Sequence, residues 1–266
     1  MNNSIKLSSP LTREFWESPV LFEDEHLLAL DKPAWLLTSP DRYDPQRPNL
    51  MKLLHGAIVQ NKPWTRPRSL TYLMNAHRLD CETSGVLLLA KNKPVLIALA
   101  SLFALDKPLK TYIALVHGTP LEREFESSAS LAPHPVNTGL MRVDPKHGKR
   151  SRTQFEVREK FRLHTLLRCT SLSSCIHQVR VHLQHVGWPI VGDALYGGSP
   201  LLLSRLKSDY RLKPKRAERP LIGRVALHAE QLSFLHPVSG AQITINSPWP
   251  KDLTVTVKYL RRYASA

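Results

Sequence analysis

The chain has 266 residues, room for one large domain or two small ones, and its 42% hydrophobic and 22% charged residues are those of a soluble globular protein. Thirty-seven Lys and Arg against 22 Asp and Glu give a net charge of +15, which is silent on fold but predicts attraction to a polyanion, nucleic acid ahead of anionic membrane. Three cysteines with no CxxC pair argue against a disulfide framework, and the amino terminus lacks the apolar core of a secretory signal. The longest apolar window, 94–105, is shorter than the roughly 20 residues of a membrane span, so a soluble, cytoplasmic protein is expected.

Residues 1–19 read as a polar, Pro-punctuated leader. "VLFEDEHLLALDKP" follows as a β-hairpin, Val20 to Phe22 and Leu27 to Leu30 about a turn at Asp24-Glu25. Residues 38–70 are rich in Pro, Arg and Asp, a loop around one short helix from Leu50 to Val59. Val86 to Ala90 form an apolar run that predicts a strand buried on both faces. Asn92 is placed to cap a helix that tolerates Pro94 in its first turn and lines up Leu96, Leu99 and Phe103, until Asp106 to Pro108 stop it.

"KTYIALVHG", Lys110 to Gly118, predicts a second core strand, and Thr153 to Val157 and Leu163 to Cys169 two more. In "IHQVRVHLQHVG" the residues Ile176, Val179, Leu183 and Val186 make a helical stripe that Gly187 ends. The stretch 205–219 carries seven basic and two acidic residues and reads as an exposed arm. Without a regular βαβ rhythm, the expectation is a single α+β domain over 20–258, a mixed, largely antiparallel central sheet flanked by helices, then a tail over 259–266.

No phosphate loop, dinucleotide fingerprint or nucleophile elbow is present. Cys169, Cys175, His177 and His182 lie close in sequence, but their spacing fits no standard zinc pattern, and residues five apart on a helix point about 140° apart. Scattered surface and hydrogen-bonding histidines account for them better than a metal site. Asp80 stands out, a carboxylate beside Arg78, His77 and Thr83 at the lip of the buried strand. An Asp there commonly serves as a turn residue. It also sits where rigid backbone holds a side chain in place, and Arg180, bordering the later helical stripe, is suited to pair with a carboxylate and keep it ionised. A carboxylate so held could serve as nucleophile or base on a nucleic-acid sugar.

"HRLDCETSGVLLLAKN" closely resembles the catalytic motif of the RluA-type pseudouridine synthases. Further matches stand in family order: "VLFEDEHLLALDKPAWLLTSP" with Lys32-Pro33, "KTYIALVHG" with Tyr112, "GKRSRT", "HQVRVHLQHVGWPIVGDALYG" and "LHAEQLSFLHP". The resemblance implies a pseudouridine synthase catalytic fold. It also implies isomerisation of uridine in structured rRNA or tRNA without cofactor, by a protein expected to be monomeric. It makes Asp80 the residue that attacks or deprotonates the sugar, pairs Arg180 with it, and sets Tyr112 under the target base. Arg78 would help displace that base, at a cost of a few kcal/mol. His77, Lys32, Lys149, Arg150 and Arg152 are the further residues expected at the RNA.

Some positions depart from the family. Ser173-Ser174-Cys175-Ile176 replace the usual Thr-Gly-Arg-Thr before His177, Trp35 stands where Gly is common, and Asp31 where Asn is usual. Lys149, Arg150 or Arg152 are the candidates to replace the lost Arg. About 19 residues precede the first motif, too few for the small RNA-binding module many relatives carry, so target choice is expected to lie in 38–70 and 205–219. Two rivals are an RNA-binding protein or chaperone whose altered segment has abolished chemistry, and a hydrolase using Asp80 and a histidine.

Overall fold

A computed structural model describes residues 4–41, 44–211 and 217–266. Within them the strands are β1 (Ser4–Ser8), β2 (Phe15–Glu23), β3 (Leu27–Lys32), β4 (Met74–Asn75), β5 (Ser84–Ala90), β6 (Leu109–His117), β7 (Glu124–Ser127), β8 (Leu131–Pro133), β9 (Met141–Val143), β10 (Thr153–Lys160), β11 (His164–Ser171), β12 (Leu227–Leu235) and β13 (Gln242–Asn246). The helices are α1 (Leu50–Val59), α2 (Lys93–Ala104), α3 (Gln178–His185), α4 (Leu203–Leu206) and α5 (Lys251–Tyr263). The fold is mixed α+β with mostly antiparallel pairing. The chain divides into two compact units, one of residues 1–109 and 229–248, the other of 110–228 and 249–266.

In the first unit β1, β2, β3 and β5 pair antiparallel in that order, β4 also borders β5, and β12 pairs β13. The residues expected as a leader are structured. Ile5 and Leu7 turn inward while Ser4, Lys6 and Ser8 face outward or part-way out, a period-two pattern too short to stand out among polar neighbours. The expected hairpin is β2 and β3, and Asp24 Oδ1 accepts from the backbone N–H of His26 and Leu27 in its turn. All seven residues of β5 are buried. Gly85 has φ +117°, and a Cβ there would lie 2.2 Å from the Ala229 carbonyl oxygen, so only glycine lets β5 and β12 approach this closely. Asn92 and Asn49 cap α2 and α1, each accepting from a backbone N–H three residues on at 2.9 Å. Val95 and Leu99 of α2 join Leu27, Val86, Leu88, Leu232 and Phe234 in a core.

In the second unit β7, β10, β11 and β6 form an antiparallel sheet in that order, with β8 and β9 as a small separate pair. Val179 and Leu183 of α3 pack with Ile113, Leu115, Leu167 and Phe155 of the sheet. Ile176, counted into the helical stripe from sequence, precedes the helix and is exposed, because His177 adopts φ 53° and turns the chain at the helix start. The expected tail over 259–266 is largely helix. Leu253, Val257 and Leu260 of α5 enter the core, and Arg224 donates to both oxygens of Asp252 at 2.7 and 3.1 Å. Of the arm at 205–219, residues 212–216 lie outside the described residues, and Glu218 accepts from the Ser204 N–H at 2.8 Å. No helix among the described residues is long and apolar enough to cross a membrane.

Candidate active site

In the first unit the backbone around Asp80 is fastened at consecutive residues. Thr38 Oγ1 donates to the Leu79 carbonyl at 2.9 Å and accepts from the Leu79 N–H at 3.2 Å. The Asp80 carbonyl accepts from the Thr83 N–H at 3.2 Å, closing the turn into β5. The Cys81 carbonyl accepts from Lys32 Nζ at 3.3 Å. These bonds fix the backbone that carries the Asp80 side chain.

Lys32 and His77, expected to touch RNA, both make hydrogen bonds within the protein. Lys32 is 0% exposed, and its ammonium also donates to the Pro33 and Leu36 carbonyls at 2.8 and 2.7 Å. It ties the loop after β3 to the Asp80 turn, whereas a phosphate contact needs an ammonium at the surface. His77 Nε2 accepts from the Leu88 N–H at 3.1 Å, and its ring stacks on Phe103 at 5.0 Å between centroids. That fixes Nε2 without a proton and pins the loop to β5 and α2. Arg78, one residue on, is exposed.

In the second unit Arg180 lies in the first turn of α3, 4% exposed. Its Nε and Nη2 donate to the two oxygens of Asp193 at 2.7 and 2.8 Å. Its guanidinium carbon sits 4.9 Å from the centre of the Tyr196 ring. Asp193 is 0% exposed, so this is a buried, bidentate pair backed by an aromatic face. Tyr196 Oη accepts from the Met141 N–H at 3.0 Å and meets His177 Nδ1 at 2.8 Å. Asp193 and Tyr196 lie in "GDALYG", where the sequence alone assigns them no role. Their signal was an acid and an aromatic framed by glycines, and Gly192 (φ +78°) and Gly198, where a Cβ would meet the Ile190 carbonyl at 1.7 Å, hold the tight turn that presents them.

Gln178 is a third residue that sequence reasoning missed. Its amide donates to the Arg152 carbonyl, Thr153 Oγ1 and Ser171 Oγ, all at 3.0 Å, and its Oε1 accepts from Ser173 Oγ at 3.0 Å. Ser173 Oγ in turn accepts from the Arg152 N–H at 2.8 Å. The altered segment is therefore well bonded.

Two ammonium groups sit on that segment. Lys149 donates to the Ser174 carbonyl at 3.0 Å, and Lys110 donates to the Ser173 carbonyl at 3.0 Å and to Ser174 Oγ. Burial lifts the thiol pKa of Cys175, which keeps that side chain neutral where the resembled motif has Arg. Arg150 and Arg152 are exposed, and Arg152 pairs with Glu126 at 2.7 Å. Tyr112 stands two residues along β6 from Lys110, opposite Cys169 and half-buried against the core. His182, weighed as a metal ligand, uses Nδ1 on Thr153 Oγ1 and Nε2 on the Ala129 carbonyl, both at 2.9 Å.

Comparison with known proteins bears on the same stretch. Residues 26–185 match the sequence model of the RNA pseudouridylate synthase family. A ribosomal large subunit pseudouridine synthase D from Xanthomonas campestris pv. campestris is 37% identical over 245 residues, covering 91% of this chain and 69% of the relative. A ribosomal large subunit pseudouridine synthase C from Buchnera aphidicola subsp. Baizongia pistaciae is 33% identical over 249 residues, 93% of this chain and 71% of the relative. Human RNA Pseudouridylate Synthase Domain Containing 4 shares the fold with a TM-score of 0.66 at 20% identity, covering 91% of this chain and 92% of that structure. The chain belongs to the RluA-type RNA pseudouridine synthases.

Proposed function

We propose that this enzyme isomerises specific uridines in large-subunit rRNA, with Asp80 as its catalytic carboxylate. The observation that carries the reading is the fastening of the Asp80 turn through Thr38, Thr83 and Lys32. The names of the relatives favour rRNA over tRNA as the first substrate to test.

In this reading the uridine leaves its stack and Asp80 acts at the sugar, by attack on the anomeric carbon or removal of a sugar proton. The bond from that carbon to N1 breaks and the uracil turns; a bond to C5 then forms as the Asp80 oxygen leaves that carbon or, in the second route, as the sugar proton is returned. The C5 proton passes to solvent and N1 regains one, so no oxidant, metal or cofactor enters. Arg180, whose pose Asp193 fixes, takes the part the family resemblance gives it, as the counter-charge of the catalytic carboxylate. Tyr112 lies under the base and assists loss of the C5 proton. Arg78 fills the place the base has left.

Lys32 and His77 act as positioning residues, and Lys149 supplies the positive charge that Cys175 does not. The bonding of Ser173 and Gln178 supports an intact site over an RNA chaperone that has lost its chemistry. The enzyme works as a monomer in the cytoplasm. The test is tritium release from rRNA and tRNA transcripts carrying uridine labelled at C5. Release from rRNA alone is expected; release from tRNA alone would overturn the substrate choice, and free uracil or cut strands would identify a hydrolase.

A further inference from the structure

Trp35 combines two features that oppose each other unless the ring has a use. Its backbone lies at φ 65°, in the left-handed region that bulky residues avoid, and the residue is 56% exposed. The ring thus recovers little by burial, while glycine would sit at this position without strain.

The strain is held in place by Lys32. Its ammonium takes the Pro33 and Leu36 carbonyls, on either side of Trp35, and the Cys81 carbonyl, next to Asp80. One buried cation therefore sets the indole and the carboxylate turn in register. Trp35 lines an open groove of ≈ 590 Å³ with Trp16, Glu14, Asp44, Gln46 and Arg47. Arg47 reaches from that groove to the Asp80 turn, its Nη2 3.3 Å from Cys81 Sγ.

Apart from Arg47 at its edge, the chemistry of this groove suits a base rather than a phosphate. Two indoles offer stacking faces, Gln46 both donates and accepts, and the carboxylates of Glu14 and Asp44 accept from exocyclic amines but repel phosphate. The net charge of +15 supplies the attraction that brings RNA to such a surface. We infer that Trp35 is a specificity-determining residue that stacks an unpaired, amine-bearing base of the substrate RNA close to the target uridine. The inference rests on Asp80 being the catalytic carboxylate, and it adds to the enzyme a fixed aromatic contact for a neighbouring base.

The test compares wild type with Trp35→Gly, Trp35→Ala and Trp35→Phe, using in vitro-transcribed large-subunit rRNA labelled at C5. Dissociation constant, KM and kcat are read together with the melting temperature. Loss of one stacked base corresponds to a rise of about fivefold to a hundredfold in dissociation constant and KM. That rise is expected in the Gly and Ala variants, exceeding any fall in kcat, and Phe should restore most of the affinity. Trp35→Gly relieves the backbone and so should melt no lower than wild type, which separates lost stacking from lost structure. Binding and KM of Trp35→Gly within twofold of wild type would overturn the inference. Weakened binding by Trp35→Gly alongside no tritium release by wild type would leave the stacking contact standing and remove the synthase reading instead.

Discussion

Asp193→Asn isolates the pair that holds Arg180. The carboxylate is 0% exposed and takes two donors of a guanidinium that is itself 4% exposed, at 2.7 and 2.8 Å. Removing one partner of a buried ion pair costs about 3–5 kcal/mol. Two features place this case near the lower end: an asparagine Oδ1 still accepts one bond, and the Tyr196 ring at 4.9 Å remains, worth about 1 kcal/mol. A loss of about 3 kcal/mol in a protein of this size lowers the melting temperature by about 6 °C or more. Differential scanning calorimetry reads this directly, and tritium release at saturating RNA reports whether Arg180 has lost its pose. If Asp193→Asn melts within about 1 °C of wild type, the pair does not hold the helix start, and its proposed part at Asp80 loses its support.

Lys32→Met withdraws a donor from three carbonyls at once, with an expected loss of about 3 kcal/mol or more; an unchanged urea midpoint would show that the buried ammonium does not hold the loop. Burial, aided by the neighbouring His117, depresses the His164 pKa from 6.5 to about 4. The unfolded chain then binds a proton that the folded one refuses, so this contribution is complete above pH 6.5 and is lost as pH falls towards 4. His164→Gln should flatten the fall in urea midpoint across that window, and an equal fall in both proteins would contradict the assignment. Affinity for rRNA should drop steeply with salt, with a slope set by the number of phosphates met; a flat response would mean the net charge of +15 is not spent on RNA.

Elements whose stability is local could be read from the chain alone. The apolar run of β5, the asparagine caps of α1 and α2, and the β-rich run of β6 each announce themselves within a few residues. Elements that depend on distant partners could not. β1 has only Ile5 and Leu7 to show, and α5 needs the second unit's core before its stripe has meaning. At the site the residue types were visible but their duties were not. Lysine beside proline suggests an exposed cation, and only the fold reveals that three carbonyls converge on Lys32. Asp193 was hidden for the same reason, since its partner lies 13 residues away across a glycine-framed turn.

The role of Asp80 is tested most directly by digesting rRNA to nucleosides after incubation with wild type or Asp80→Asn, at concentrations where both are bound. Pseudouridine should rise with wild type and stay at background with Asp80→Asn, while the two proteins bind rRNA with similar affinity. Pseudouridine formed by Asp80→Asn at a rate near that of wild type would contradict the assignment of this carboxylate as the catalytic residue.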